Sequence, residues 1–310
     1  MPDKVFKTSQ GELYYVIKED RVNITSYTGE DENLVLPEEI EGLPVRKIDK
    51  KAFMNAKRLR SVVLPDTIRK LADWSFSYCR MLGTVELPRK KIAMGRSPFL
   101  GDDRLERISL RSRKKYPDNE WLAMSEKDRD DTAVLLASLY NMKGADHLLN
   151  CSTSGTEEWF EGLDRRLLEF IDEPDEEGHA EMILCGEEDL ECTLDVFVAN
   201  KRKKKSRCAF MRLLHPAGLT EASEARYRAY LTGHCVGCET DEAWQVLKDE
   251  YGHVKEYYEY YVNLGCLNDD NFNDTIIDLG DKQAEMKAYF LRWKEANKPT
   301  EEDFFDSFEL

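Results

Sequence analysis

The fold of the chain is decided by residues 52–65, which read Ala52-Phe53-Met54-Asn55-Ala56-Lys57-Arg58-Leu59-Arg60-Ser61-Val62-Val63-Leu64-Pro65. Val62 and Leu64 alternate with outward positions, as a short half-buried strand requires. Pro65 has no amide hydrogen to donate to a strand ladder, so it ends the strand. The stretch therefore predicts a short strand and a turn, with Phe53 filling the interior from the opposite side.

This pattern returns with a period of 23 along the chain. Five apolar columns keep the register: Ile48, Leu71 and Met94; Phe53, Phe76 and Phe99; Leu59, Leu82 and Leu105; Val62, Val85 and Ile108; Leu64, Leu87 and Leu110. A single coil cannot bury its apolar face alone, so repeated coils stack into a solenoid whose ends need caps. Upstream, Glu12–Ile17 and Val22–Thr25 flank a polar turn and predict a β-hairpin cap.

The repeats resemble the BspA-like leucine-rich-repeat family, which is also described from treponemal surface proteins. The resemblance rests on residues 52–59 and on Ser75-Phe76-Ser77-Tyr78-Cys79-Arg80-Met81-Leu82, and it covers about residues 12–110. The first stretch, residues 24–45, is similar to the family's usual entry unit and carries an insertion. The resemblance implies a leucine-rich-repeat solenoid and a binding role, although this fold serves many kinds of binding.

After about Tyr116 the apolar period becomes that of α-helices. One helical face is predicted downstream of a capping box formed by Ser154 and Glu157, and it contains Phe160, Leu163, Leu167 and Ile171. Further helices are predicted on either side of the basic run Lys201–Arg207. A weaker repeat with a period of 28 then relates Trp244 to Phe272, Tyr258 to Met286, and Val262 to Phe290. This repeat predicts two stacked helical hairpins, similar to ankyrin or other α-solenoid pairs.

The sequence thus predicts a two-domain α+β protein. Residues 1–114 are expected to form the leucine-rich-repeat domain with 23-residue coils, and residues 115–310 an all-α domain. The charge is divided unevenly, because residues 1–115 hold 24 Lys and Arg against 17 Asp and Glu. The whole chain has a net charge of −16. This acidic balance argues against general nucleic-acid binding, which depends on positive charge.

The start of the chain has no apolar segment typical of a signal peptide, and no run approaches the roughly 18 apolar residues of a membrane helix. We therefore expect a cytoplasmic protein that does not bind membranes. The eight cysteines are scattered through the chain. This spacing is unlike that of a small disulfide scaffold and predicts reduced thiols.

The segment His234-Cys235-Val236-Gly237-Cys238 is the sharpest candidate for chemistry. A structural zinc site needs four ligands, so this Cys-x-x-Cys pair would require a second closely spaced pair, and no other Cys or His residues are spaced to form one. A redox pair is expected after a strand in a thioredoxin-like unit, whereas these cysteines lie between two predicted helices. We predict plain loop thiols and no metal or cofactor, with a zinc or redox role left open.

The basic run Lys201-Arg202-Lys203-Lys204-Lys205-Ser206-Arg207 allows two interpretations. It could dock nucleic acid or an acidic partner. It could also be the solvated end of one helix and the start of the next, because cations are favoured near helix C-termini. The second interpretation is favoured within such an acidic domain.

The leading hypothesis is a non-enzymatic module for protein–protein interaction that binds through the exposed side of the parallel sheet. Strand alternation gives the outward residues, which are Ser61, Thr84 and Arg107 in one row and Val63, Glu86 and Ser109 in the next. Two alternatives are a structural role, in which the acidic helical half docks on the basic repeat half, and a surface adhesion-type role. An enzyme that combines Cys235 or Cys238 with His234 or His253 is the least favoured.

Overall fold

The structure is a computed structural model that describes residues 4–102, 104–140, 142, 145, 148–180, 193–281 and 283–297. The chain forms two compact units, Met1–Arg166 with His215–Leu219, and Leu167–Leu214 with Thr220–Leu310. The first unit thus continues beyond residue 114. The predicted domain division at that position stays a prediction.

The first unit is built on a solenoid with a β-sheet along each of two sides. Its strands are β1 (Lys4–Lys7), β2 (Gly11–Lys18), β3 (Arg21–Gly29), β4 (Asn33–Val35), β5 (Glu39–Ile40), β6 (Leu43–Ile48), β7 (Ser61–Val63), β8 (Lys70–Leu71), β9 (Thr84–Pro88), β10 (Ala93–Met94) and β11 (Arg107–Arg111). One sheet is parallel throughout and has the order β11-β9-β7-β4. The other has the order β1-β2-β3-β6-β8-β10, with β5 paired to β6. The predicted solenoid is confirmed.

The five predicted apolar columns form the core of this solenoid. The Val62 and Leu64 columns are buried beneath β7, β9 and β11, and Ile48 and Leu71 lie in the second sheet. The sequence pattern predicts one sheet only, because the two-residue strands β8 and β10 of the second sheet are too short for an alternating pattern. Met94 and Leu105, both in the last coil, are partly exposed because no further coil stacks on them.

The phenylalanine column forms a stack of rings that runs through the interior. Ring centroids of Phe53 and Phe76 are 4.7 Å apart, and those of Phe76 and Phe99 are 5.6 Å apart, with nearly parallel planes. Tyr27 adds a stacked ring at the start, 5.2 Å from Phe53. Tyr140 contacts Phe99 edge-on at 4.9 Å at the other end. The stack therefore passes from the N-terminal hairpin to a helix that follows the repeats.

Asp31 fastens the N-terminal hairpin, β2 and β3, to the first coil. This carboxylate is almost fully buried and accepts hydrogen bonds from Thr8 Oγ1 at 2.5 Å, from Ser9 Oγ and from the Gln10 amide at 2.9 Å. The Tyr27 hydroxyl donates to Asp31 at 2.9 Å and accepts from the Asp31 amide at 3.0 Å. Burial raises the pKa of Asp31, but these donors outweigh it and hold the pKa below its usual value.

Three helices follow the repeats: α1 (Asn119–Ala123), α2 (Glu126–Leu139) and α3 (Glu157–Asp172). Ser125 caps α2 by accepting from the Asp128 amide at 3.0 Å, and α2 packs on β11. The four residues predicted to share a face of α3 are buried. The predicted cap was wrong, because Thr156 accepts from the Trp159 amide. The Ser154 hydroxyl donates instead to the Asn150 carbonyl.

In the second unit the described residues form six further helices. These are α4 (Leu194–Leu214), α5 (Glu221–Thr232), α6 (Glu242–Glu250), α7 (Lys255–Asn263), α8 (Phe272–Leu279) and α9 (Ala284–Ala296). The predicted break at the basic run is wrong, since α4 is one continuous helix of 21 residues that includes the whole run. The predicted hairpins correspond to α6 with α7 and to α8 with α9.

The two hairpins share an aromatic core. Trp244, Tyr258 and Phe290 are fully buried, and the ring centroids of Tyr258 and Phe290 are 5.5 Å apart. Gly280 ends α8 with a φ of +62°, a backbone conformation that glycine adopts without steric cost. Gly252 serves a different purpose, because a Cβ there would lie 2.6 Å from the Lys248 carbonyl oxygen.

Candidate functional site

The register of the four-stranded sheet places the six predicted binding residues in two adjacent rows. The first row pairs Ser61 with Thr84 and Thr84 with Arg107, and the second pairs Val63 with Glu86 and Glu86 with Ser109. Strand β4 extends the rows by Asn33 and Val35, which pair with Ser61 and Val63. We call these eight residues the sheet face. All of them are at least partly exposed.

One end of the sheet face is charged, and its charges are bound within the first unit. Arg107 forms an ion pair with Asp130 of α2. Glu86 accepts a hydrogen bond of 2.5 Å from Arg111, which also contacts Asp66 at 2.8 Å. These pairs hold α2 against the last strand and bridge neighbouring coils. Two of the predicted binding residues therefore already have internal partners, which strand alternation could not reveal.

The other end of the sheet face is uncharged. Val35 is 70% exposed on the outer strand β4, and Val63 lies next to it in register. Beside them, the Ser61 hydroxyl donates to the Asn33 amide oxygen at 2.7 Å. The buried Val62 and Leu64 columns support this surface from behind. Valines flanked by hydroxyl and amide groups can receive an apolar side chain together with hydrogen-bonding groups.

The segment after the repeats closes the last coils through a buried arginine. Arg89 is 6% exposed, and its Nε donates to Asp118 at 2.8 Å. Its guanidinium lies over the Trp121 ring, 4.7 Å from the centroid, and also donates to the Ser154 carbonyl. The Trp121 amide and Arg89 lower the pKa of Asp118. At least one basic residue of the repeats, Arg89, therefore binds the segment that follows them.

The basic run of α4 is held by the acidic segment 173–177 of the same unit. Lys201 and Lys205 are buried, and each donates to backbone carbonyls of this segment. Lys205 and Arg202 also contact the Asp175 carboxylate at 2.6 and 2.7 Å. These contacts lower the pKa of Asp175 against the effect of burial, which would raise it. The run is an internal ionic framework, unlike either interpretation drawn from the sequence.

Three cysteines, rather than two, meet near the loop between α5 and α6. The Sγ atoms of Cys235 and Cys238 are 3.7 Å apart, and Cys266 interacts with Cys235 from the loop after α7. Sequence spacing missed Cys266 because two helices separate it from the pair. His234 instead stacks on Tyr230, with its Nδ1 2.8 Å from the Tyr230 carbonyl oxygen. Across the described residues, no group of three or more His, Cys, Asp or Glu side chains could hold a metal ion.

Comparison with known families identifies the repeats. Residues 31–126 match the model of the BspA type leucine-rich repeat region in six copies. These residues form a BspA-type leucine-rich repeat region. The match includes every strand of the four-stranded sheet, so the sheet face belongs to the BspA-type region. It ends within α2, the helix that packs on β11.

Two solved structures are similar to part of the chain. One is a leucine-rich repeat protein of T. pallidum, 30% identical, with a TM-score of 0.30 over 32% of this chain and 50% of that one. The other is a leucine-rich cell surface protein of Faecalibacterium prausnitzii, 23% identical, with a TM-score of 0.28 over 34% and 32%. The chain spans half or less of the length of these proteins. No curated protein matches the chain.

The BspA-type region suggests a role in protein interaction or adhesion. Leucine-rich repeats of this kind are typically non-enzymatic binding modules. In the part of the chain that the structure describes, no helix is long and apolar enough to cross a bilayer.

Proposed function

We propose that this chain is a non-enzymatic module that binds a protein partner through the sheet face, at its uncharged end. The observation that carries the proposal is the position of Val35, which is 70% exposed on the outer strand β4 and lies in register beside Val63 of β7. Two neighbouring valines exposed on a packed sheet offer an apolar contact to a partner, and the polar groups around them can form the rim of such an interface. The hydroxyl and amide groups of Ser61 and Asn33 supply that polar surround.

The internal ion pairs favour recognition by shape and apolar contact. Arg107 and Glu86 are held by Asp130 and Arg111, so a partner that used their charges would first have to break these pairs. Binding at the valine end leaves the pairs intact. We therefore expect an affinity that changes little with salt, because screening acts on exposed charges.

The test is to identify the partner with the full chain as bait in lysate of the source cell, and then to measure its affinity for two variants. Val35→Glu places a charge at the proposed anchor. Val5→Glu makes the same change at a valine that is 46% exposed on β1, in the other sheet. We expect Val35→Glu to weaken binding at least tenfold, which corresponds to about 1.4 kcal/mol, and Val5→Glu to leave it unchanged. Equal affinities of the two variants would contradict the proposal.

A structural role is the second candidate, and a specific observation favours it. Arg89 and Arg107 of the repeats contact Asp118 and Asp130, which belong to the chain after residue 114. In this account the acidic helical half docks on the basic repeat half. Separately expressed halves would then associate, and more weakly at high salt. If each half captures only the complementary half from lysate, the structural role is favoured over the interaction module. The same result would fit an adhesion-type role, since the partner of an adhesion protein is not expected in the lysate.

The cytoplasmic location is part of the same proposal. It is supported by the described cysteines Cys79, Cys151, Cys235, Cys238 and Cys266, whose thiols are outside any disulfide. Free thiols are typical of proteins in reducing compartments. Fractionation of the source cell with an antibody against the chain tests it, and recovery at the cell surface would favour the adhesion-type role.

A further inference from the structure

The loop between α5 and α6 brings two thiols within reach of one another. Cys235 and Cys238 have Sγ atoms 3.7 Å apart, and both donate to the Thr232 carbonyl, at 3.2 and 3.3 Å. The sulfurs are thus already in contact, and a small rotation of the two side chains brings them into bonding distance. Gly237 makes the tight turn between them with a φ of +92°.

A buried amide holds this loop against the third cysteine. Asn271 is 4% exposed, and its Nδ2 donates to the Val236 carbonyl and to the Cys266 carbonyl, both at 2.8 Å. It thereby fixes the backbone between Cys235 and Cys238 to the backbone of Cys266. The side chain of Cys266 is fully buried next to Cys235.

The three thiols differ in exposure and in acidity. Cys238 is exposed, whereas Cys235 is 5% exposed and Cys266 is buried. The hydrogen bond from Cys266, helped by Cys238, lowers the pKa of Cys235 although burial opposes it. Burial and the neighbouring Cys235 raise the pKa of Cys238. The thiolate of the group is therefore favoured on Cys235, next to the exposed sulfur.

We propose that Cys235 and Cys238 form a reversible thiol–disulfide pair that reacts with low-molecular-weight disulfides, and that Cys266 is a positioning residue for Cys235. The Cys235 thiolate accepts the proton of the exposed Cys238 thiol, whose sulfur lies 3.7 Å away, and Cys238 Sγ attacks one sulfur of the oxidant RSSR. The RS⁻ that leaves takes this proton from Cys235. The Cys235 thiolate then attacks Cys238 Sγ, and the second RS⁻ leaves and is protonated. Two protein thiols become one disulfide, and the oxidant is reduced to two RSH.

The experiment treats the full chain with oxidised glutathione and follows the products by mass spectrometry and peptide mapping. The native chain is expected to lose two hydrogens, with Cys235 linked to Cys238 and no glutathione retained. Cys235→Ser should keep glutathione on Cys238, because the resolving thiolate is gone. Cys238→Ser should form no linkage between these positions. Cys208→Ser, a half-buried thiol of α4, is the control and should behave as the native chain.

The role of Cys266 is tested by the pH profile of glutathione release from Cys238. Cys266→Ala should slow release about tenfold at pH 7, because a rise in the pKa of Cys235 from about 6 to about 8 lowers its thiolate fraction about tenfold. Cys266→Ser keeps a hydrogen-bond donor and should restore most of the rate. Equal rates in the native chain and both variants would overturn this role. Absence of a Cys235–Cys238 disulfide, or tightly bound zinc that protects both thiols from alkylation, would overturn the proposal as a whole.

Discussion

At the scale of single residues, the contacts that fix the solenoid's N-terminal end are polar. Asp31 accepts hydrogen bonds from the backbone and side chains of residues 8–10 and from Tyr27, which also begins the stack of rings. One carboxylate therefore couples the hairpin to the first coil. A buried acceptor with several donors is costly to remove, because each donor then loses its partner.

We predict that Asp31→Asn lowers the stability of the hairpin by about 1–3 kcal/mol at pH 7. The measurement is native-state hydrogen exchange of the β2 and β3 amides in the full chain. Because the folded-state pKa of Asp31 is lowered, its contribution is present above the unfolded value of about 3.9 and is lost as pH falls through the folded value. The difference between native chain and variant should therefore shrink below about pH 4.

Asp20→Asn is the matched control. Asp20 is exposed in the turn between β2 and β3 with a φ of +53°, a conformation that Asn tolerates well. It should leave the exchange rates nearly unchanged. If Asp31→Asn also left the exchange rates unchanged, the carboxylate would not be the group that holds the hairpin to the first coil.

Residues that repeat could be predicted from the sequence, and residues that interrupt the repeat could not. Phe53, Phe76 and Phe99 were found by their period of 23. Tyr27 and Tyr140 complete the same stack but lie outside the period, the first because of the insertion and the second because it ends a helix. The outward residues of the sheet were also placed by alternation. That Arg107 is paired with Asp130 depends on how α2 packs, which no local pattern encodes.

At the scale of elements, α4 shows why a charge run is hard to interpret from sequence. Its cations are spaced so that one face meets the segment 173–177 and another meets α6, where Arg207 contacts Glu250 through two hydrogen bonds of 2.6 and 2.5 Å. The acidic partners come from distant parts of the chain. The helix is continuous because its lysines and arginines are good helix formers.

We predict that Asp175→Ala lowers the free energy of unfolding of the second unit by about 3 kcal/mol, because it leaves Lys205 buried without its carboxylate partner. Adding Lys205→Met should recover part of this loss. The measurement is urea unfolding of the full chain. Asp249→Ala is the control, since Asp249 is 54% exposed and 4.0 Å from Lys203, and it should cost less than about 1 kcal/mol. Equal losses for Asp175→Ala and Asp249→Ala would show that the buried framework is unimportant.

At the scale of the whole molecule, helices of the first unit cover the apolar end of the last coil. Leu135, Leu136 and Leu139 of α2 are buried, and Tyr140 covers the last ring of the stack. Solenoids need such caps because the final coil otherwise exposes apolar surface and strand edges. His215 and Ala217 contact the buried Asp131 of α2, so this unit is also discontinuous in sequence.

We predict that a fragment of residues 1–166 unfolds at higher urea concentration than one of residues 1–114, with a difference of about 3 kcal/mol or more from the leucines of α2. The shorter fragment should also self-associate, which sedimentation would detect. Equal stability of monomeric fragments would instead support an independent domain that ends at residue 114.

The most direct test of the central claim is hydrogen–deuterium exchange of the full chain with and without its identified protein partner. The outer strand of the sheet face is β4, which pairs with β7, so binding at Val35 and Val63 should protect the amides of these two strands most. Strands β8 and β10 of the opposite sheet should be unaffected. Protection confined to that opposite sheet or to the helices of the second unit, with β4 and β7 unchanged, would contradict the claim.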